Sequence, residues 1–241
     1  MKHELLLTII AMVLLVAELA INDKKRIIPI AILLFGLHTV LGFFGNQSGT
    51  LFGGMYQTSG LIILMKNILN IGVFIVLLQS ANWLTKTENL NKISEYFILL
   101  FSTLIGMNFM ISSGEFLMFY LGLELATIPM AALVAYNTFN QKSAEAGVKL
   151  ILSAAFSSGI MLFGISLFYG QFGSTYFQEL GMLSMDTPLA ILALIFFISG
   201  LSYFILNMSL GLSIFILTVI ILACMAIPFI LLQNKNRKSE K

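Results

Sequence analysis

Six apolar stretches follow one another along the first 170 residues, each close to the length that crosses a lipid hydrocarbon core. They lie at about 5–21, 27–44, 60–79, 94–111, 115–136 and 146–169. A ~30 Å core needs roughly 20 apolar residues in a helix. A backbone in lipid must satisfy its polar groups internally, so these stretches are read as helices. The segment 188–232 is one further apolar run, long enough for two spans hinged near Asn207-Met208-Ser209. Only 10% of residues are charged, against about 25% in soluble domains, and the mean hydropathy is +0.97. The expected fold is an all-α integral membrane protein with seven or eight transmembrane helices.

Several function classes drop out. A net charge of +2 without an extended basic patch argues against nucleic-acid binding. The single cysteine, Cys224, excludes a disulfide framework or a cysteine-based metal site. His3 and His38 stand 35 residues apart and form no ligand pair by spacing. No phosphate-binding glycine loop or nucleophile motif occurs, so no cofactor and no metal is expected in the chain. The first apolar stretch is read as an uncleaved span. Only Lys2 precedes it, Asp23-Lys24-Lys25-Arg26 follow it, and no convincing small-residue cleavage site intervenes.

Charge alternates from loop to loop. Basic residues lie in the loops with Lys24–Arg26, with Lys86 and Lys92, and with Lys142, whereas the loops 45–59, 112–114 and 171–187 have none. Basic loops face the cytoplasm, which places the N-terminus outside. The tail with Lys235, Arg237, Lys238 and Lys241 breaks this alternation if 188–232 forms two spans.

An ionisable group at the bilayer centre costs about 2.5–3.5 kcal/mol on insertion scales, so each one within a span is informative. Glu124 lies near the middle of the fifth stretch. There it is either protonated by desolvation or paired with a cation, and in either state it can pass a proton on. The alternative is a buried ion pair that only fixes packing. Pro129, five residues later, lacks the N–H for Leu125 and is expected to break or kink the helix. Lys149, near the start of the sixth stretch, can exchange a proton, snorkel to the interface or pair with Glu145 four residues back. Lys66, Asn67 and Asn70 share a face of the third stretch; they form a hydrated polar axis or interhelical hydrogen bonds. His38 is read as a satisfied bundle histidine or a member of that axis, and Glu18 as an interfacial partner of Lys24–Arg26. Ser157, Ser158, Gly159 and Gly164 read as small-residue helix packing.

The fifth and sixth stretches together carry a resemblance. FLMFYLGLELATIPMAALVAY contains E-L-x-x-x-P-x-x-x-L-V-x-Y, and KSAEAGVKLILSAAFSSGIMLFGISLFYGQFG contains S-x-E-A-x-x-K-x-x-L-S-A-x-x-S. This combination resembles the antiporter-like subunit N of bacterial NADH-quinone oxidoreductase (complex I), over residues 1–201. The resemblance implies inverted helical repeats with broken helices around a midplane polar site. It also implies proton translocation driven by quinone reduction elsewhere in the complex. Glu124 matches the family's fifth-span glutamate and Lys149 its sixth-span lysine. The implied partners are other complex I membrane subunits and lipid, with quinone involved only through the complex. The implied location is the bacterial inner membrane.

After Leu201 the sequence departs from the family. Where a lysine is expected, Phe204 stands, and residues 202–241 form an atypical apolar segment with a basic tail. A truncated or rearranged member is the simplest expectation. Without its seventh-span lysine, Glu124 should be protonated or should borrow Lys149. The function expected is a proton-translocating membrane subunit, non-catalytic in itself. The alternatives are a cation/proton antiporter subunit and a non-transporting membrane fragment.

Overall fold

A computed structural model describes residues 1–20, 24–44, 48–85, 92–137, 140–180 and 187–208, with backbone only at 180 and 204–208. Its helices in chain order are α1 (Lys2–Ala20), α2 (Ile27–Leu41), α3 (Gly60–Leu84), α4 (Ile93–Ile111), α5 (Phe116–Val134), α6 (Gln141–Phe172), the short α7 (Phe177–Leu180) and α8 (Pro188–Met208). Each expected stretch from the first to the sixth is a helix. The elements α1, α3, α4, α5 and α6 are long and apolar enough to cross a membrane. The second half of the 188–232 run, Cys224 and the basic tail lie outside the described residues.

Local chemistry sets the helix ends. Ser59 caps α3, its hydroxyl accepting from the Ile62 amide at 3.3 Å, and Asn140 caps α6 by accepting from the Lys142 amide at 3.0 Å. The helix α6 stops at Gly173, whose φ of 70° is open to glycine at little cost. The helix α5 runs through Pro129 without interruption, so the expected break is not there. The proline withdraws one N–H from the ladder. The packing of α5 between α4 and α6 keeps the remaining bonds in register, and spanning helices tolerate this loss.

The loop 45–59 holds more structure than its composition suggested. Gly49–Leu51 (β1) and Tyr56–Thr58 (β2) form an antiparallel hairpin, with Gly49 opposite Thr58 and Leu51 opposite Tyr56. Tyr56 is bridged to Ser113, and Glu115 to Tyr176. The amide of Gly114 donates to Met55 O at 2.7 Å, and that of Phe177 to Gly114 O at 3.2 Å. One end of the bundle is thus stitched together by the hairpin, the α4–α5 turn and the segment after α6.

Two apolar cores form. One joins α1 to α4 through residues such as Leu7, Leu14, Phe35, Leu77, Phe97 and Phe101. The other joins α5, α6 and α8 through Phe116, Leu123, Met161, Ile165, Phe168 and Ala193. Glycines let the helices between and within these cores approach. A Cβ on Gly106 would lie 2.3 Å from Ala126 N, and one on Gly122 would lie 2.6 Å from Met110 N, so α4 and α5 touch backbone to backbone. The pair α6–α8 meets likewise at Gly164 and Gly200, where Ser157 Oγ donates to Gly200 O at 2.5 Å. Outward-facing residues such as Met12, Leu33, Leu64, Leu121 and Leu152 are exposed and apolar. Lipid is the solvent that suits such a surface.

Candidate functional site

The helix α5 holds Glu124 half-buried. Tyr120, one turn earlier, interacts with both Glu124 and Ser158 of α6. On the following turn Thr127 donates its hydroxyl to Glu124 O at 3.2 Å, and Pro129 leaves Leu125 O without its ladder donor. The carboxyl therefore sits at a helix–helix contact with polar neighbours.

Lys149 is not brought to it. The lysine is exposed on α6 and pairs with Glu145 at 2.5 Å, with the two side chains 73% and 63% exposed. The expected loan of Lys149 to Glu124 is not made in this chain, because the i,i+4 geometry of α6 satisfies the ammonium within its own helix. Glu18 does pair with Lys24, at 3.7 Å.

The third helix behaves differently. Lys66, Asn67 and Asn70 are all buried, and Lys66 has a partner that sequence reasoning missed. Its Nζ lies 2.5 Å from Glu4 Oε1 and 2.9 Å from the Tyr56 hydroxyl, which itself donates to Glu4 Oε1 at 2.9 Å. The Met1 amino group also reaches Tyr56, at 2.8 Å. Burial, with the Glu4 carboxylate beside it, holds the Tyr56 phenol well above its ordinary range. Glu4 opens α1, where a carboxylate also suits the positive end of the helix dipole. The signal available was indirect: Lys66 has no acid within its own span, so its burial required one from elsewhere.

Around this pair the polar residues continue. The Asn67 amide donates to Gly42 O at 3.2 Å, and Asn70 meets His3 Nδ1 at 3.4 Å. The His3 and His38 rings meet edge to face at 5.7 Å. His38 was expected to be satisfied within the bundle. Instead, both its ring nitrogens are buried without a hydrogen-bond partner among the described residues, as are Glu4 Oε2, Asn67 Oδ1 and Asn70 Oδ1. Glu115, at the start of α5, is also buried and accepts from the Thr175 hydroxyl at 2.8 Å. Among the described residues no three His, Cys, Asp or Glu side chains are grouped to hold a metal ion.

Comparison with known proteins accords with this architecture. Residues 113–212, which include Glu124 and Lys149, match the family described as NADH:quinone oxidoreductase/Mrp antiporter, transmembrane. The NADH-quinone oxidoreductase subunit N of Phocaeicola vulgatus is 44% identical over 205 residues, covering 84% of this chain and 43% of that protein. That of Azobacteroides pseudotrichonymphae is 41% identical, covering 75% of this chain and 38% of that protein. Respiratory complex I from Thermus thermophilus contains a chain of the same fold, with a TM-score of 0.65 at 20% identity over 83% of this chain and 43% of that one. A chain of an archaeal membrane-bound sulfane sulfur reductase gives 0.67 at 23% identity, with the same coverage. The chain thus spans less than half the length of the curated relatives it matches.

Proposed function

The chain is related over most of its length to the antiporter-like subunit N of NADH-quinone oxidoreductase, and from that premise we propose that it serves as a proton-translocating membrane subunit of such a complex. Other membrane subunits of the complex are its partners, and quinone chemistry elsewhere in the assembly drives it. It resides in the bacterial cell membrane with its N-terminus outside, as the alternation of basic loops suggests.

One observation carries the reading: a half-buried carboxyl, Glu124, held near the middle of a spanning helix beside Tyr120 and a proline-weakened turn. A carboxyl in that setting exchanges a proton between states of different hydration. Moving one charge against 100 mV takes about 2.3 kcal/mol, within the range that a change in its surroundings can supply. Lys149 and Glu145 are the next ionisable groups along α6. In the assembled complex their exposed pair is available to a neighbouring subunit or to the interfacial water through which a proton approaches.

The test is Glu124→Gln in the assembled, membrane-reconstituted complex. We expect redox-driven proton uptake to collapse while the subunit remains incorporated. Undiminished pumping in a fully assembled variant overturns the assignment and favours a role in packing alone. The description of the matching family also names Mrp antiporters, which keeps a cation/proton antiporter subunit as the second reading. A sodium-gradient dependence of proton movement without quinone turnover would favour it.

A further inference from the structure

The cluster around Glu4 and Lys66 stands apart from Glu124. It belongs to α1, α2, α3 and the hairpin, at the end of the bundle that carries the start of α1. A cavity of about 280 Å³ opens beside it, lined by His3, Gly42, Tyr56, Ile63 and Lys66 among others. We infer that Glu4, Lys66, Tyr56, His3 and His38 form a second, hydrated proton-binding site that exchanges with water through this cavity.

Both nitrogens of His38, Asn67 Oδ1 and Asn70 Oδ1 are buried without a hydrogen-bond partner among the described residues, and Glu4 Oε2 has only an ion pair with the Met1 amino group, at 3.4 Å. A buried polar group left dry is costly. The number of such groups in one polar region, whose His3, Tyr56 and Lys66 line a cavity with room for several waters, makes hydration the low-energy state. Lys66 and Tyr56 both lie on Glu4 Oε1, at 2.5 and 2.9 Å. A proton can therefore shift from the ammonium to the carboxylate by breaking one N–H bond and forming one O–H bond, which neutralises both groups and leaves the total charge of the pair unchanged. Glu4 Oε2, 3.4 Å from the Met1 amino group, keeps a lone pair for water. The edge contact of His3 with His38 extends the cluster to α2, so a proton delivered by water has acceptors on three helices.

The titratable groups facing His38 are His3 and Glu4 of α1. His3 in turn faces Glu4, Lys66 and the Met1 amino group. The helix α4 meets this corner with aromatic rings, Phe101 against Phe35 and Phe109 against Tyr56. A site that only staples the helices together would stay dry and would not titrate.

The purpose of the site within translocation rests on the function proposed above, but its existence does not. The test is nuclear magnetic resonance of histidine-labelled chain in lipid nanodiscs, titrated from about pH 4 to 9. We expect His3 and His38 ring signals to titrate reversibly and to exchange with bulk water. Glu4→Gln is expected to displace the His38 midpoint by about half a pH unit or more, since a facing charge is removed. Histidines that stay silent over the whole range overturn the inference, as does a His38 midpoint indifferent to Glu4→Gln. The wild-type titration decides the matter even if Glu4→Gln fails to fold. The combined Glu4→Gln and Lys66→Met change, which removes both members of the buried pair together, supplies a second folded control. Titrating histidines with undiminished pumping in Glu124→Gln would remove the function while leaving this site intact. Silent histidines with pumping lost in Glu124→Gln would do the reverse.

Discussion

Substituting Gly106 by alanine tests the contact that fixes α5, and with it Glu124, against α4. The added Cβ would stand 2.3 Å from Ala126 N, 2.6 Å from Leu125 C and 2.8 Å from Ala126 Cα. All three are backbone atoms, so no side chain can rotate aside. Ordinary contact begins near 3.4 Å, and the two helices must part by about 1 Å. Overpacking of this kind costs about 1–3 kcal/mol, and the rigid neighbours place this case near the upper end. Alanine recovers up to about 1 kcal/mol in helix propensity, leaving a net loss of about 2 kcal/mol. Gly72→Ala is the matched control: a Cβ there meets no heavy atom within 4 Å, so only the propensity gain remains. Reversible unfolding of the chain in mixed detergent micelles should separate the two variants by about 3 kcal/mol. Because Leu125 and Ala126 follow Glu124 directly, the Gly106 variant should also slow proton movement in the assembled complex. Equal stability changes for both variants would refute the backbone contact and the placement of Glu124 that depends on it.

Ser157→Ala removes the hydroxyl that donates to Gly200 O. Interhelical hydrogen bonds in lipid are worth about 0.6 kcal/mol on average and up to about 1.7. The same unfolding assay should show a loss in that range, smaller than that of Gly200→Ala, whose Cβ would fall 2.6 Å from Met161 N; the opposite ranking would deny that backbone approach dominates the α6–α8 contact. At the other end of the bundle, the Tyr136 hydroxyl donates to Lys92 O at 2.5 Å, and burial, aided by Glu95, Tyr96 and Glu18, holds the phenol above its ordinary value near 10. The unfolded chain loses that proton first, so above about pH 10 it binds fewer protons than the folded chain, and stability falls as pH rises. Tyr136→Phe should flatten part of that alkaline decline, with Tyr56 supplying the rest in the same direction; an unchanged curve would show that Tyr136 is not buried in its neutral form.

The amino-acid sequence by itself determined the order of apolar helices through α6. Span length is a local property, fixed by the thickness of hydrocarbon and the rise of a helix, so residues 5–169 could be divided before any contact was known. The same local logic singled out Glu124 and Lys66, since each interrupts an apolar run at an energetic cost. It also paired Glu18 with Lys24 and Glu145 with Lys149, because those partners are close along the chain. Tertiary structure decided what depends on distant segments meeting. Glu4 reaches Lys66 across 62 positions, and His3 meets His38. The loop 45–59 becomes a hairpin that brings Tyr56 to both members of the buried pair. Lys149 turns outward rather than toward Glu124, because the azimuth of a residue on a packed helix depends on which neighbours cover it. Pro129 withdraws one donor from the α5 ladder, but whether the helix breaks there rests on the packing of α4 and α6 around it. Hydropathy reads how deep a residue lies along the membrane normal; the direction it faces within the bundle is a matter of interhelical packing.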